Sequence, residues 1–225
     1  IPKMKPIDRE ILRIALPAVV ANITVPLLGL IDMSIAGHLG DAAFIGAMSV
    51  GATMFNLVYW NFGFLRMGTS GLTAQAYGRG DTSEAISVLL RACSLATAIA
   101  LAIVMLQYPL QWLALKVISP SSEVLHLAQR YFFVVVWGAP AILAMMAIKG
   151  WFLGMQDSQS AMRISICVDV VNVIASLVAV FVLRMGFMGI ATGTLVAEYV
   201  ALAYSIHLLY KKHGGSLRQA SIAKA

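Results

Sequence analysis

The chain has 225 residues, 60% of them hydrophobic and only 12% charged, with a mean hydropathy of +0.85. Soluble domains carry roughly 25% charged residues, so this composition excludes an ordinary water-soluble globule and describes an integral membrane protein. The formal net charge of +6 is a matter of topology and not of nucleic-acid binding, because the basic residues fall between apolar spans and favour one side of the membrane.

Six largely apolar runs lie at 14–35, 42–65, 92–115, 131–148, 164–183 and 185–210, the first, fifth and sixth with one acid each. Each reaches or approaches the ~20 residues that a membrane helix needs. With their flanking turn signals, the predicted helices cover about 11–39, 42–70, 84–115, 122–150, 160–183 and 187–211, and 211–225 is a basic cytoplasmic tail or the start of a linker. Strand-type alternation is absent, so the fold class is all-α: a polytopic bundle of six transmembrane helices. Thirteen of the 16 Lys and Arg residues fall on the side of the amino terminus, leaving Lys116, Arg130 and Arg184 opposite. That asymmetry predicts both termini in the cytoplasm.

Residues 1–13 read as an amphipathic lead-in, followed by eighteen uncharged residues, IALPAVVANITVPLLGLI, that run straight into Asp32. Ionising a carboxylate in hydrocarbon costs at least ~2.5 kcal/mol, so Asp32 is expected to face a protein cavity and to serve as an ion or proton site. Pro26 removes a backbone donor and crowds the carbonyl of Asn22, which predicts a hinge six residues before the acid. Span two carries Asn56, Tyr59, Trp60 and Asn61, the most polar-aromatic stretch of the six. These four, with Asn22 and Met33 of span one, are the candidate lining of a substrate cavity.

The loops GRGDTSEA (78–85) and GMQDSQSA (154–161) share Gly-x-x-Asp-(Thr or Ser)-x-x-Ala ahead of a predicted helix. Helix-start chemistry and internal duplication both account for the likeness. Pro140 predicts a further kink in span four. Span five places Asp169, Asn172 and Ser176 at i, i+3 and i+7, on one face. Span six places Thr194 and Glu198 four apart, with Gly189 and Gly193 allowing close helix approach.

At ~1.5 Å per residue, Asp32 lies ~28 Å from the inner surface and Asp169 ~9 Å, too far apart in depth for a carboxylate dyad. Asp32, Ser176 and Thr194 are expected to converge, with Asn172 and Glu198 a turn away. Asp169 is shallow enough to meet inner-leaflet water. Arg66 is the basic residue placed deep enough to offer a counter-charge.

Cys93 and Cys167 sit in apolar spans and the four histidines show no ligand spacing, so neither a disulfide nor a metal site is expected. GRGD fits the GxGD pattern of intramembrane aspartyl proteases but falls in a charged loop, and GxSxG and HExxH are absent, so no enzyme is expected. No charged ring or filter-like segment points to a channel.

Four stretches carry a likeness: PLLGLIDMSIAGHLG (26–40), TAQAYGRGD (73–81), KGWFLGMQDS (149–158) and GIATGTLVAEY (189–199). Together, and in this order, they resemble the multidrug and toxic compound extrusion (MATE) transporters, especially the DinF-type branch. The resemblance implies one six-helix lobe of a two-lobe transporter, with a second six-helix lobe as its partner. It also implies secondary active export of small organic, often cationic, compounds through alternating access, driven by H+ or Na+ with no other cofactor, in a bacterial inner membrane.

By that resemblance Asp32 matches the family's first-helix acid, Asn172 the fifth-helix Asn and Thr194 the sixth-helix Thr, while Glu198 falls where the DinF-type branch often has an acid. Ser176 stands where that branch commonly has Asp, and Asp169 lies seven residues before it. A lipid-linked precursor flippase of the same wider superfamily is the alternative. A pyrophosphate headgroup calls for a basic cavity, and here the deep charges are mostly acids.

Overall fold

The structure, a computed structural model, describes the backbone of residues 6–222, and the side chains of 15–215 apart from 18, 20–22, 24 and 25. The lead-in before residue 6 and the side chain of Asn22 therefore lie outside the described residues. No strand occurs among those described.

Helix α1 spans Pro6–His38 and continues unbroken through Pro17 and Pro26. Helices α2 (Ala42–Tyr59) and α3 (Gly63–Gly78) form one rod joined by a 3-10 turn at Trp60–Phe62. Helices α4 (Thr82–Met105) and α5 (Gln107–Ile118) meet at Leu106. Helices α6 (Ser122–Val135) and α7 (Ala139–Gly154) are joined by a 3-10 turn at Val136–Gly138, just ahead of Pro140 in the first turn of α7. Helix α8 (Ser158–Leu177) passes into a π-helical turn at Val178–Val182, and α9 runs from Met188 to Ile222. Six helical rods result among the described residues. Five of them, Ala42–Gly78, Thr82–Met105, Ser122–Gly154, Ser158–Val182 and Met188–Gly215, are long and apolar enough to cross a bilayer. The first carries the eighteen-residue uncharged run.

The rods are stopped by specific chemistry. Gly80 takes φ +70 and Gln156 takes φ +60, and both follow a helix end at the same offset. In the first loop Gly80 N–H donates to Tyr77 O and Asp81 N–H to Ala76 O; in the second, Gln156 donates to Leu153 O and Asp157 to Phe152 O. That is a Schellman ending twice over. Asp81 then accepts from Glu84 N–H at 2.9 Å, and Asp157 from Ser160 N–H at 3.1 Å, capping α4 and α8. The shared Gly-x-x-Asp pattern is thus a helix stop followed directly by a helix start.

Helix α7 is the centre of the bundle, with ten of its sixteen residues buried. It packs on α3 and α4, while α8 packs on α9 and α1, and α2 on α6. Between helices in lipid there is little hydrophobic gain, so close packing of small residues carries the association. A Cβ on Gly150 would stand 2.5 Å from the Arg66 carbonyl oxygen, and one on Gly193 2.6 Å from Ser176 Cα. Those two contacts bring α7 against α3, and α9 against α8, backbone to backbone.

Candidate functional site

Asp32 is 7% exposed, on the face of α1 that turns toward the bundle. One turn later, Ile35 and Ala36 pack with Tyr131 of α6 and Ile190 of α9 in an apolar cluster. The acid therefore sits one turn from the edge of that cluster. Its Oδ1 is buried and accepts no hydrogen bond. The phenol of Tyr131 neighbours both Asp32 and Thr194, linking the first helix to the seam between α8 and α9.

Along that seam the side chains form a chain of hydrogen bonds. Asn172 Nδ2 donates to Thr194 Oγ1 at 3.1 Å, and Ser176 Oγ donates to Asn172 Oδ1 at 3.4 Å. Thr194 Oγ1 donates to Ile190 O at 3.0 Å. Asn172 and Ser176 are buried, 1% and 0% exposed, so both faces of the Asn172 amide are satisfied within the protein. The helical spacing puts Asn172 and Ser176 on one face of α8, and Gly193 lets α9 come close enough for Thr194 to reach them.

A second polar group lies beside the first. Glu198, one turn beyond Thr194 on α9, shares its surroundings with Tyr59, Lys149 and Asp169, and Lys149 also lies in the field of Arg66. Sequence reasoning missed Lys149 as well as Tyr131. Arg66 is not the only deep cation: Lys149 sits within α7, with the Arg66 backbone pressed against its neighbour Gly150. The available signal was the apolar run Trp151–Leu153 that follows Lys149 and keeps the helix going. Asp169, expected to meet water, has Oδ2 buried without a hydrogen-bond partner. It lines an apolar groove of about 310 Å³ between α1 and α8, with Leu27, Leu28 and Ile31 across from it.

The cavity candidates separate. Tyr59 turns inward and its hydroxyl is buried without a partner. Asn56, Trp60 and Asn61 lie on the exposed side of the α2–α3 rod: Trp60 is 85% exposed, and Asn61 Nδ2 donates to Leu57 O at 2.9 Å within its own helix. Met33 is also exposed, on the opposite side of α1 from the buried face of Asp32's neighbours Ile35 and Ala36. Pro26 is exposed within an unbroken α1.

Chemically, the arrangement offers one unengaged carboxylate oxygen on a long helix that is packed on α8, beside a satisfied amide–hydroxyl chain. A proton or a small cation at that oxygen changes the charge on the contact between α1 and the rest of the bundle.

Comparison with known families matches residues 17–178 to MatE. The chain is 35% identical over 204 residues to DNA damage-inducible protein F of Escherichia coli (strain K12), covering 91% of this chain and 44% of that protein. It is 29% identical to the chloroplastic Protein DETOXIFICATION 44 of Arabidopsis thaliana, covering 88% of this chain and 40% of that one. Its fold superposes on an outward-facing structure of a multidrug resistance MATE family transporter of the MOP superfamily with a TM-score of 0.82, at 21% identity, over 91% of this chain and 45% of that chain. The chain thus spans less than half the length of these relatives.

Proposed function

The chain belongs to the MatE family, and from that premise we propose that it is the amino-terminal lobe of a multidrug efflux antiporter that exports small organic cations in exchange for protons or sodium ions. The observation that carries this reading is Asp32: a carboxylate inside a membrane helix, buried, with Oδ1 unengaged. An acid in that position has no structural task among the described hydrogen bonds. Intramembrane acids of this kind mark ion and proton paths.

In the proposed cycle the coupling cation occupies the Asp32 carboxylate from one side of the membrane and neutralises it. Helix α1 then shifts relative to α8, with Pro26 as the hinge, because Pro26 deprives α1 of one internal hydrogen bond six residues before the acid. Asn172, Ser176 and Thr194 hold the polar wall that the carboxylate leaves and rejoins, while Glu198 and Asp169 hand the cation on toward the opposite face. A membrane potential contributes ~2.3 kcal/mol per charge per 100 mV, comparable with the gap of a modest two-state element. The exported compound lies between this lobe and a second lobe, against the exposed faces bearing Met33, Asn56, Trp60 and Asn61. The lobe covers residues 1–210, with 211–225 leading toward its partner. Both termini lie in the cytoplasm of a bacterial inner membrane, and the loops at 79–81 and 155–157 face the same side.

The test is dye efflux by the native protein in vesicles, with a pH gradient and a sodium gradient imposed separately. Asp32→Asn removes the ionisable group at nearly constant shape and is expected to abolish efflux under the coupling gradient while membrane insertion persists. Efflux by Asp32→Asn at the wild-type rate overturns the proposal, and the gradient that drives the wild type identifies the ion.

A further inference from the structure

Between α3 and α4 lies a groove of about 260 Å³, lined by Phe64, Gly68, Leu72, Val88, Leu95 and, as its charged member, Arg91. Gly68 lies in its wall with open space beyond it, since a Cβ there would touch nothing within 4 Å. At the end of α4 nearer its amino terminus, Arg91 forms an ion pair through Nη2 with Glu84 and donates from Nε to Ser87 O at 3.2 Å. Both partners remain accessible, with side chains 66% and 40% exposed. A guanidinium has five N–H donors, and these contacts use two.

The polarity runs in one direction. Arg91 stands nine residues into α4, ~13 Å from its start, and its side chain leans back toward Glu84 and the polar loop at 79–81. The apolar groove continues the opposite way, toward Leu95 and Phe64. A charged end near the membrane surface and an apolar slot leading inward match a phospholipid. The charges narrow the class further. Arg91 and Glu84 stand side by side as a plus and a minus, complementary to the phosphate and the ammonium of one zwitterionic headgroup. An anionic lipid would set its phosphate against Glu84 without compensation. A quaternary choline cannot donate hydrogen bonds to the carboxylate, whereas a primary ammonium can.

We propose that the α3–α4 groove is a phosphatidylethanolamine site, with the lipid phosphate on the free N–H groups of Arg91, its ammonium on Glu84, and one acyl chain in the slot left open by Gly68. The site stands apart from Asp32 and does not depend on what the protein exports.

Native mass spectrometry of the full chain, released from nanodiscs holding equal amounts of dioleoyl phosphatidylethanolamine, phosphatidylglycerol and phosphatidylcholine, tests it. The wild type is expected to retain one phosphatidylethanolamine in roughly tenfold preference to the other two. Arg91→Ala is expected to erase that preference, and Arg91→Lys, which keeps the charge and loses the planar fork, to weaken it. Glu84→Gln should turn the preference toward phosphatidylglycerol. Gly68→Leu should reduce retention of all three lipids, because the slot is filled while the charges stay in place.

Equal retention of the three lipids by the wild type overturns the proposal. So does an unchanged preference in folded Arg91→Ala or Arg91→Lys. No lipid retained by the wild type, the result if a protein segment covers the groove, also overturns it. Displacement of the lipid by equimolar glycerophosphoethanolamine or inorganic phosphate would identify a soluble-phosphate site instead.

Discussion

Gly193 of α9 lies so close to α8 that a Cβ built on it would stand 2.6 Å from both the backbone nitrogen and the Cα of Ser176. Real Cβ atoms do not approach that near, and the obstructing atoms are backbone, which cannot rotate away. Gly193→Ala is therefore expected to push α9 off α8 and to stretch the 3.1 Å bond from Asn172 to Thr194, one residue along. Overpacking of this kind costs about 1–3 kcal/mol. A lowered thermal midpoint together with lost gradient-driven efflux is the expected result. Gly71→Ala serves as control, since a Cβ there meets nothing within 4 Å and a helical Ala in place of Gly is neutral or mildly stabilising.

Lys149 lies in the field of Glu198, Asp169 and Arg66, inside the bundle. No direct ion pair ties it to either acid among the described residues, so its contribution is through the field and not through one contact. Lys149→Met should then leave two carboxylates facing each other without compensation and destabilise the fold. Glu198→Gln in the same background should restore part of the loss. A double-mutant cycle on thermal stability is expected to give a coupling of about 0.5–3 kcal/mol. Additive losses would mean that the two residues do not sense each other.

These two sites mark where sequence reading succeeds and where it stops. The fold class was legible because a bilayer demands long apolar helices, and the uncharged runs 14–31 and 92–115 are unmistakable in that respect. The seam between α8 and α9 was legible too, from the i, i+3 and i+7 spacing on α8 and the two glycines on α9, but the sequence set Asn172 a turn away from Thr194, whereas the structure joins them at 3.1 Å. Lys149 was not, because counting gaps between charges makes any lysine look like the end of a span, and only the bundle reveals that α7 carries on to Gly154. Nor was the outward turn of Asn56, Trp60 and Asn61. In lipid the outside of a helix is as apolar as its inside, so no amphipathic stripe tells the two faces apart. The break at Leu106 has a signal the sequence reading passed over: Pro109, in the first turn of α5, has no N–H to give Met105 and crowds its carbonyl.

The twin loops differ at the residue that takes the left-handed turn. Gly80 and Gln156 both take the left-handed conformation after a helix, which favours glycine and costs other residues about 1–2 kcal/mol. Gly80→Ala is accordingly expected to lower thermal stability by roughly 1 kcal/mol, and Gln156→Gly to raise it by a smaller amount. Fluorescence-detected thermal unfolding in detergent reads both. Equal and opposite signs would locate the strain in the backbone, whereas a loss in both variants would assign Gln156's role to its side chain.

At the far end of α9, Lys212 Nζ donates to Asp157 Oδ2 at 2.6 Å and to Ser160 Oγ at 2.7 Å, and His213 meets the Trp151 ring edge-on at 4.8 Å. Asp157 thus caps α8 and anchors α9 with one carboxylate. Burial alone would push that carboxyl up, but Lys212 and the Ser160 hydroxyl and amide together hold it below its ordinary value of 3.8. A carboxyl lowered in the folded state contributes its full stability above the ordinary value and loses it as pH falls through the folded one. The difference in thermal midpoint between wild type and Lys212→Met should therefore shrink below about pH 4 relative to its value at pH 5. Asp157→Asn separates the two duties. Asparagine still caps a helix, so this variant is expected to keep α8 intact while losing the pH-dependent part. A gap between wild type and Lys212→Met that persists unchanged into acid would show that Lys212 holds α9 by packing of its alkyl stem rather than by charge.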